Sequence, residues 1–500
     1  GSSPQKDTAS YSQTTTSKKQ PKTTSSSSTQ AKTSQSKANE YVYRIFGSVN
    51  DPLASADWTL TVNNAPTAWD TAIGGDTQTT VAIIDTGFAL AHEDLLSQWA
   101  QNTNETGVTQ SGDICWTGSP ENKNSNNCDD DQNGYIDDWR GWNFVHGDNN
   151  PQTGRDNPTG IGVAHGTEVA GFVGATGNNS HGTTAINQNT KIMPLAALDD
   201  DGMGYTSDIT AAILYAADNG ADVINLSLGT YANDQTVKTA VDYAISQDVI
   251  VVAAAGNCGT GSDIDCPPTL GAIGYPAAYP NVIAVGATTQ SGTRASFSSY
   301  GKELDITAPG YNLPVATSWS QANPTARYVS GLSGTSFSAP QVASLVALVK
   351  SIRPSTSTAD IVAIINGTAS KTSGMNGLFY TEKFGHGVID AAQALTVATA
   401  LNASTHMPTL LASSTGKIEH VLTSSTSTVA SGCVATIGDA CTIQFTDPNG
   451  FTRYLPYTVL TSTDTGWTWT NASLATTYWE IRARSGENIT DSPYILIKKS

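Results

Sequence analysis

Charge is scarce along this chain, and positive charge is scarcest. Only 14% of its 500 residues are Asp, Glu, Lys or Arg, and 25 basic residues face 43 acidic ones, for a formal charge of −18. A surface so short of lysine and arginine has little to set against a phosphate backbone, which excludes nucleic acid as a partner class. No apolar run reaches the roughly 20 residues of a membrane-spanning helix, so the chain is read as not spanning a membrane. Among the six cysteines there is no Cys-x-x-Cys and no Cys/His spacing that would hold zinc.

The cysteines instead sort into neighbours: Cys115 with Cys128, Cys258 with Cys266, and Cys433 with Cys441, separated by 13, 8 and 8 residues. Three local disulfides, as against six independent thiols, imply an oxidising compartment. Abundant Ser, Thr, Asn and Gly agree with a secreted or cell-surface protein, for which a monomer is expected.

Five hundred residues exceed what one core organises, and the texture changes twice. Residues 1–40 are Ser, Thr, Gln and Lys with almost no apolar side chains, and are read as a disordered tail. Gly1-Ser2 reads as a cloning remnant, and neither a signal peptide nor a folded pro-segment is legible. Over 41–402, apolar strands at 80–85, 191–198, 222–228, 250–256 and 282–287 alternate with helices near 207–219, 234–247, 335–351 and 358–366. That alternation predicts an α/β fold, a doubly wound, mostly parallel sheet with its site at the strands' carboxyl ends. Over 403–500 the helical period disappears, and short alternating strands around Asp447-Pro448-Asn449-Gly450 predict a small all-β, immunoglobulin-like sandwich. Trp467, Trp469 and Trp479 are read as its core, with a sugar-binding platform as the competing role.

Three motifs carry chemistry. Gly334-Thr335-Ser336-Phe337-Ser338-Ala339-Pro340 places a serine in a tight turn ahead of a buried helix, where a hydroxyl is ordinarily a cap. Thr80–Asp85 is a buried strand ending in an aspartate, and His165 stands at the mouth of an Ala/Val/Gly-faced helix. The order Asp85, His165, Ser336 is one of the chain orders in which an acid, a base and a nucleophile are assembled.

With Asp85-Thr86-Gly87, His165-Gly166-Thr167 and the serine motif in place, roughly residues 41–400 resemble the subtilisin-like serine proteases. Val251-Val252-Ala253-Ala254-Ala255-Gly256-Asn257 joins them as the strand that ends in the family's oxyanion asparagine. The resemblance implies that His165 takes the Ser336 proton, that Asp85 orients the imidazole, and that the Asn257 amide and the Ser336 N–H bind the oxyanion. One departure is Glu168, where a second histidine is common, and little effect on the chemistry is expected. A protein or peptide substrate would lie as a strand along Ser227-Leu228-Gly229, Ala254-Ala255-Gly256 and the segment around Gly202 and Gly204. Gly274 would floor a pocket roomy enough for a large apolar residue before the cut. Asp199, Asp200 and Asp201 either favour basic residues upstream or form a solvated turn.

One cation loop is legible without the family. Asp129, Asp131, Asn133 and Asp137 stand at positions 1, 3, 5 and 9, Gly134 at 6 and Tyr135 at the carbonyl position 7, as in the first part of an EF-hand-type calcium loop. Arg140 occupies position 12, and a solvated acidic turn is the competing reading. The resemblance alone implies a second structural Ca²⁺ at Asp94 and Asn179. A different class of function, adhesion or binding through the C-terminal sandwich on an inactive protease scaffold, is the alternative. The full set of Asp85, His165, Asn257 and Ser336 argues against it.

Overall fold

The computed structural model describes residues 49–400 apart from 73–76, 262–265, 321–323 and 377–379, and beyond them the backbone of seven strands within 409–498. Two short helices, α1 (Trp58–Val62) and α2 (Ala65–Trp69), lead in, and the Trp69 indole donates to the Ile186 carbonyl at 2.8 Å. The body is a sheet of β1 (Thr80–Asp85), β2 (Trp142–Asn143), β3 (Lys191–Ala196), β4 (Val223–Leu226), β5 (Ile250–Ala254), β6 (Ile283–Thr288) and β7 (Ile306–Pro309). Their order is β2-β3-β1-β4-β5-β6-β7, and every pairing is parallel.

The strands read as unbroken apolar runs because both faces are covered. Val81, Ile83, Val223, Val252, Val285 and Ile306 face one way, into a core shared with α3 (His165–Gly174), α6 (Ala339–Ile352), α7 (Thr358–Gly367) and α8 (Ala391–Ala400). The alternating residues Ala82, Ile84, Ile224, Leu226, Val251 and Ala253 face the opposite way, against α4 (Thr206–Asp218) and α5 (Gln235–Ser246). Asp234 caps α5 through the N–H groups of Thr236 and Val237, at 2.7 and 3.2 Å.

β1 is flanked by β3 on one side and β4 on the other, so the chain changes direction across the sheet at this strand. A crevice opens beyond the carboxyl ends of strands at such a switch point, and Asp85 is the last residue of β1.

Several boundaries differ from the sequence reading. β4 stops at Leu226, two residues short, and Ser227-Leu228-Gly229 leaves the sheet. β5 stops at Ala254. The helix expected from 335 begins at Ala339, because Thr335–Phe337 forms a separate 3-10 turn and Pro340 fits only the first turn of a helix. β2 and β7 escaped notice, one having two residues and the other ending in proline.

A hairpin joins β8 (Ala316–Thr317) to β9 (Tyr328–Val329). Farther on, β10 (Thr409–Leu411), β12 (Ala440–Thr446) and β13 (Thr452–Thr458) form one sheet. A second comprises β11 (Ile418–Val421), β14 (Asp464–Thr470), β15 (Tyr478–Ser485) and β16 (Tyr494–Lys498). The tail over 1–40, the Cys433–Cys441 pairing and the environment of the three tryptophans lie outside the described residues.

Candidate active site

Asp85 is fully buried at the end of β1. Its Oδ1 accepts from the Thr86 N–H at 2.8 Å and faces His165 Nδ1 at 2.7 Å. The Thr86 hydroxyl donates to Gly162 O at 2.8 Å and accepts from the Gly166 N–H at 3.3 Å, tying the strand's exit to the first turn of α3. That turn approaches closely enough that a Cβ on Gly166 would lie 2.3 Å from Gly87 O, so glycine there is a steric requirement.

With Nδ1 donating to a carboxylate, the neutral imidazole presents Nε2 as its free base. Burial disfavours the imidazolium, but the Asp85 charge and hydrogen bond, with Glu168 adding to them, raise the His165 pKa above its ordinary value. Glu168 sits one helical turn on, buried, and accepts from the Ser318 hydroxyl at 3.1 Å. Burial raises its own pKa against the pull of His165.

Ser336 lies half-buried in the 3-10 turn. Its hydroxyl donates to Ser227 O at 3.2 Å, while the Ser227 hydroxyl donates to Ser336 O at 2.7 Å. Among the described residues no hydrogen bond joins Ser336 Oγ to His165. Such contacts commonly tighten only when substrate fills the site. The next side chain, Phe337, packs against the imidazole with ring centroids 5.6 Å apart.

Asn257 is exposed just past β5. Its Oδ1 accepts both the N–H and the hydroxyl of Thr335, each at 3.0 Å. Two donors on one oxygen fix which end of the amide is its carbonyl. The Cys258–Cys266 disulfide closes the loop that follows, and Cys115–Cys128 forms as well.

A cleft of about 870 Å³ opens beside His165, lined by Ser227, Leu228, Gly229, Gly202 and Gly204 of the expected substrate residues. Ala254, Ala255, Gly256 and Gly274 are not among its walls: the first two are buried, and the Gly274 N–H donates to Ala255 O at 3.0 Å. Tyr231 and Tyr275 line it instead, and exposed Ile161 and Met203 stand at its rim. Short strand ends conceal such residues from a periodicity reading. Asp200 serves neither expected purpose, since its buried carboxylate accepts from the N–H groups of Gly154, Asp156 and Asn157.

The acidic loop departs furthest from expectation. Asp129 accepts from the N–H groups of Asn133 and Gly134, Asn133 Oδ1 from that of Tyr135, and Asp137 from that of Asn127. The Tyr135 ring packs edge-on to Trp142 and Tyr215. Asp131 alone of the expected set joins other carboxylates, one oxygen each from Glu105, Asp131 and Asp138 lying within 4.8 Å of one another. Burial, opposed by two backbone donors and reinforced by the Asp138 and Asp131 charges, pushes the Glu105 carboxyl up to about 7. Elsewhere, the Asn179 amide donates to Asp94 Oδ1 at 2.9 Å, and Asp51, missed in the sequence, accepts from the N–H groups of Asn178 and Asn179.

Residues 76–387 match the family model described as the Subtilase family. Thermitase of Thermoactinomyces vulgaris is 35% identical over 327 residues, which are 65% of this chain and 92% of that protein. Subtilisin Savinase of Lederbergia lenta is 39% identical over 51% of this chain and 82% of its own length. The thermophilic serine proteinase of Bacillus sp. (strain AK1) is 40% identical over 48% of this chain, and the match spans only 53% of that protein. Among solved structures, a protease from Pseudoalteromonas arctica PAMC 21717 superposes with a TM-score of 0.52 at 28% identity, over 70% of this chain and 99% of that one.

Proposed function

This chain belongs to the subtilase family, and from that premise we propose that it is a secreted or cell-surface serine endopeptidase. Ser336 is the nucleophile, His165 its general base and then general acid, and Asp85 the group that holds the imidazole tautomer and stabilises the imidazolium. On attack, the Ser336 hydroxyl leaves Ser227 O and passes its proton to His165 Nε2 as Oγ bonds to the scissile carbonyl carbon. The Asn257 NH₂ and the Ser336 N–H receive the developing oxyanion. His165 then protonates the leaving amine, and a water attacks the acyl-enzyme by the same route in reverse. The observation that carries this reading is the 2.7 Å Asp85–His165 contact beside an asparagine whose carbonyl end is held by two donors.

Leu228, Tyr275 and Tyr231 make the cleft wall aromatic and apolar, and Ile161 and Met203 extend it outward. A substrate with a large apolar residue before the cut suits these walls. The test is hydrolysis of a tetrapeptide anilide series that varies this residue. Phe or Leu should exceed Asp and Lys in kcat/KM, and a preference for Lys would overturn the assignment.

The Cys115–Cys128 and Cys258–Cys266 disulfides support the extracellular placement. Residues 403–500 are proposed as an accessory domain outside the chemistry, and the adhesion alternative is not favoured because the named relatives are proteases. Calcium is proposed as a structural ion. Asp94 with Asn179 is one position for it, and of the 129–137 set Asp131 lies closest to other carboxylates, those of Glu105 and Asp138.

A further inference from the structure

We propose that Glu105, Asp131 and Asp138 form a structural calcium site that joins the two ends of the segment between residues 105 and 138. Glu105 closes a 3-10 turn, Thr103–Glu105, and is completely buried. Its Oε1 accepts the N–H groups of Asp130 and Asp131 at 2.7 and 3.2 Å, while Oε2, equally enclosed, has no partner. A buried carboxylate oxygen without a donor is costly, and this one belongs to a group whose oxygens converge with those of Asp131 and Asp138 to within 4.8 Å. Two calcium–oxygen bonds of 2.3–2.6 Å span about that distance.

Protein donors orient the three carboxylates without neutralising them. The Asn102 amide bridges Asp131 Oδ2 and Asp138 Oδ1 at 2.9 and 2.8 Å, and the Tyr215 hydroxyl and Asn133 amide hold Asp138 Oδ2 at 2.5 and 2.9 Å. All of these donors are neutral. Among the described residues, no lysine or arginine pairs with any of the three. Lys123 is turned to Asp113 and Asp130, and Arg140 lies over the Trp139 ring. Three converging carboxylates held by neutral groups call for a cation, and an all-oxygen donor set selects a hard one.

The site also has a mechanical consequence. Between Glu105 and Asp131 the chain makes an excursion that the Cys115–Cys128 disulfide closes, and Asn102 N–H donates to Trp139 O at 3.0 Å beyond it. An ion at the convergence fixes both ends of that excursion next to edge strand β2. It does so independently of proteolysis, so the two readings fail separately.

The test uses the full chain carrying Ser336→Ala, which prevents self-cleavage, and counts bound calcium by equilibrium dialysis. Glu105→Gln and Asp138→Asn should each bind one ion fewer than this parent, or bind it at least about tenfold more weakly. Asp129→Asn should bind the parent number. Unchanged binding in Glu105→Gln, or loss in Asp129→Asn with Glu105→Gln unaffected, overturns the assignment. Should a variant not fold, amide hydrogen exchange of the parent decides: calcium should slow exchange across residues 102–140, and equal exchange with and without calcium contradicts the site.

Discussion

Asp85 and Glu105 are both completely buried, and each leaves one carboxylate oxygen without a donor. They differ in what faces them. Asp85 meets an imidazole, a group that can acquire a positive charge when a proton arrives and surrender it when the proton leaves. Glu105 meets two further carboxylates and no protein cation among the described residues. A negative group facing a titratable base suits a charge that comes and goes during turnover. Converging negative groups with neutral supports suit a charge that stays. On the two proposals, the same residue chemistry would serve a reaction at one end of the sheet and a fastening at its edge.

The sharpest way to separate the two regions is to remove Ser336. Ser336→Ala should lower kcat/KM on a peptide anilide by several orders of magnitude while leaving the melting temperature and calcium count unchanged. A loss of calcium together with activity would show that the centres are coupled. Next in size is Asn257→Ala, which deletes the proposed oxyanion donor and should cost about 10²–10³ in kcat with KM nearly constant. A KM effect alone would mean that the amide only binds substrate.

The pH profile sharpens the contrast. His165 must be neutral to accept a proton, so kcat/KM is lost as pH falls through its pKa, which lies above the ordinary value of about 6.5. Glu168 contributes to that upward shift through its negative charge. Glu168→Gln should therefore move the acid limb to lower pH, and an unmoved limb would assign the entire elevation to Asp85. In stability terms, replacing Cys258 and Cys266 together by serine should cost about 2.5 kcal/mol by denaturant unfolding, the chain-entropy value for a loop of this length. The smallest effect is expected from ending the chain at residue 402. Its kcat/KM on small peptides should match the full chain within about twofold, because every proposed catalytic group lies between Asp85 and Ser336.

How far the sequence could be read follows from how local each signal is. Asp85, His165, Asn257 and Ser336 each sit in a short stretch whose neighbours explain its position: a buried strand, a small-residue helix, a strand end and a turn before Pro340. The five principal strands and four helices were legible for the same reason, since both faces of the sheet demand apolar runs. Glu105 carried no such signal. It lies 26 residues before Asp131, with no period linking them, and only folding brings them together. The 129–137 spacing reads two ways because Asp and Asn that suit a cation also suit tight turns, where their oxygens accept nearby backbone N–H groups. Tyr231 and Tyr275 were missed because they belong to connections, whose geometry no periodicity encodes.

The central claim is that Ser336 is made nucleophilic by His165. Labelling the intact chain with a fluorophosphonate and locating the adduct by peptide mass spectrometry tests it most directly. A single adduct on Ser336, absent from His165→Ala and retained in Glu105→Gln, is the predicted result. An adduct on a different serine, or equal labelling of Ser336 without His165, would contradict the account.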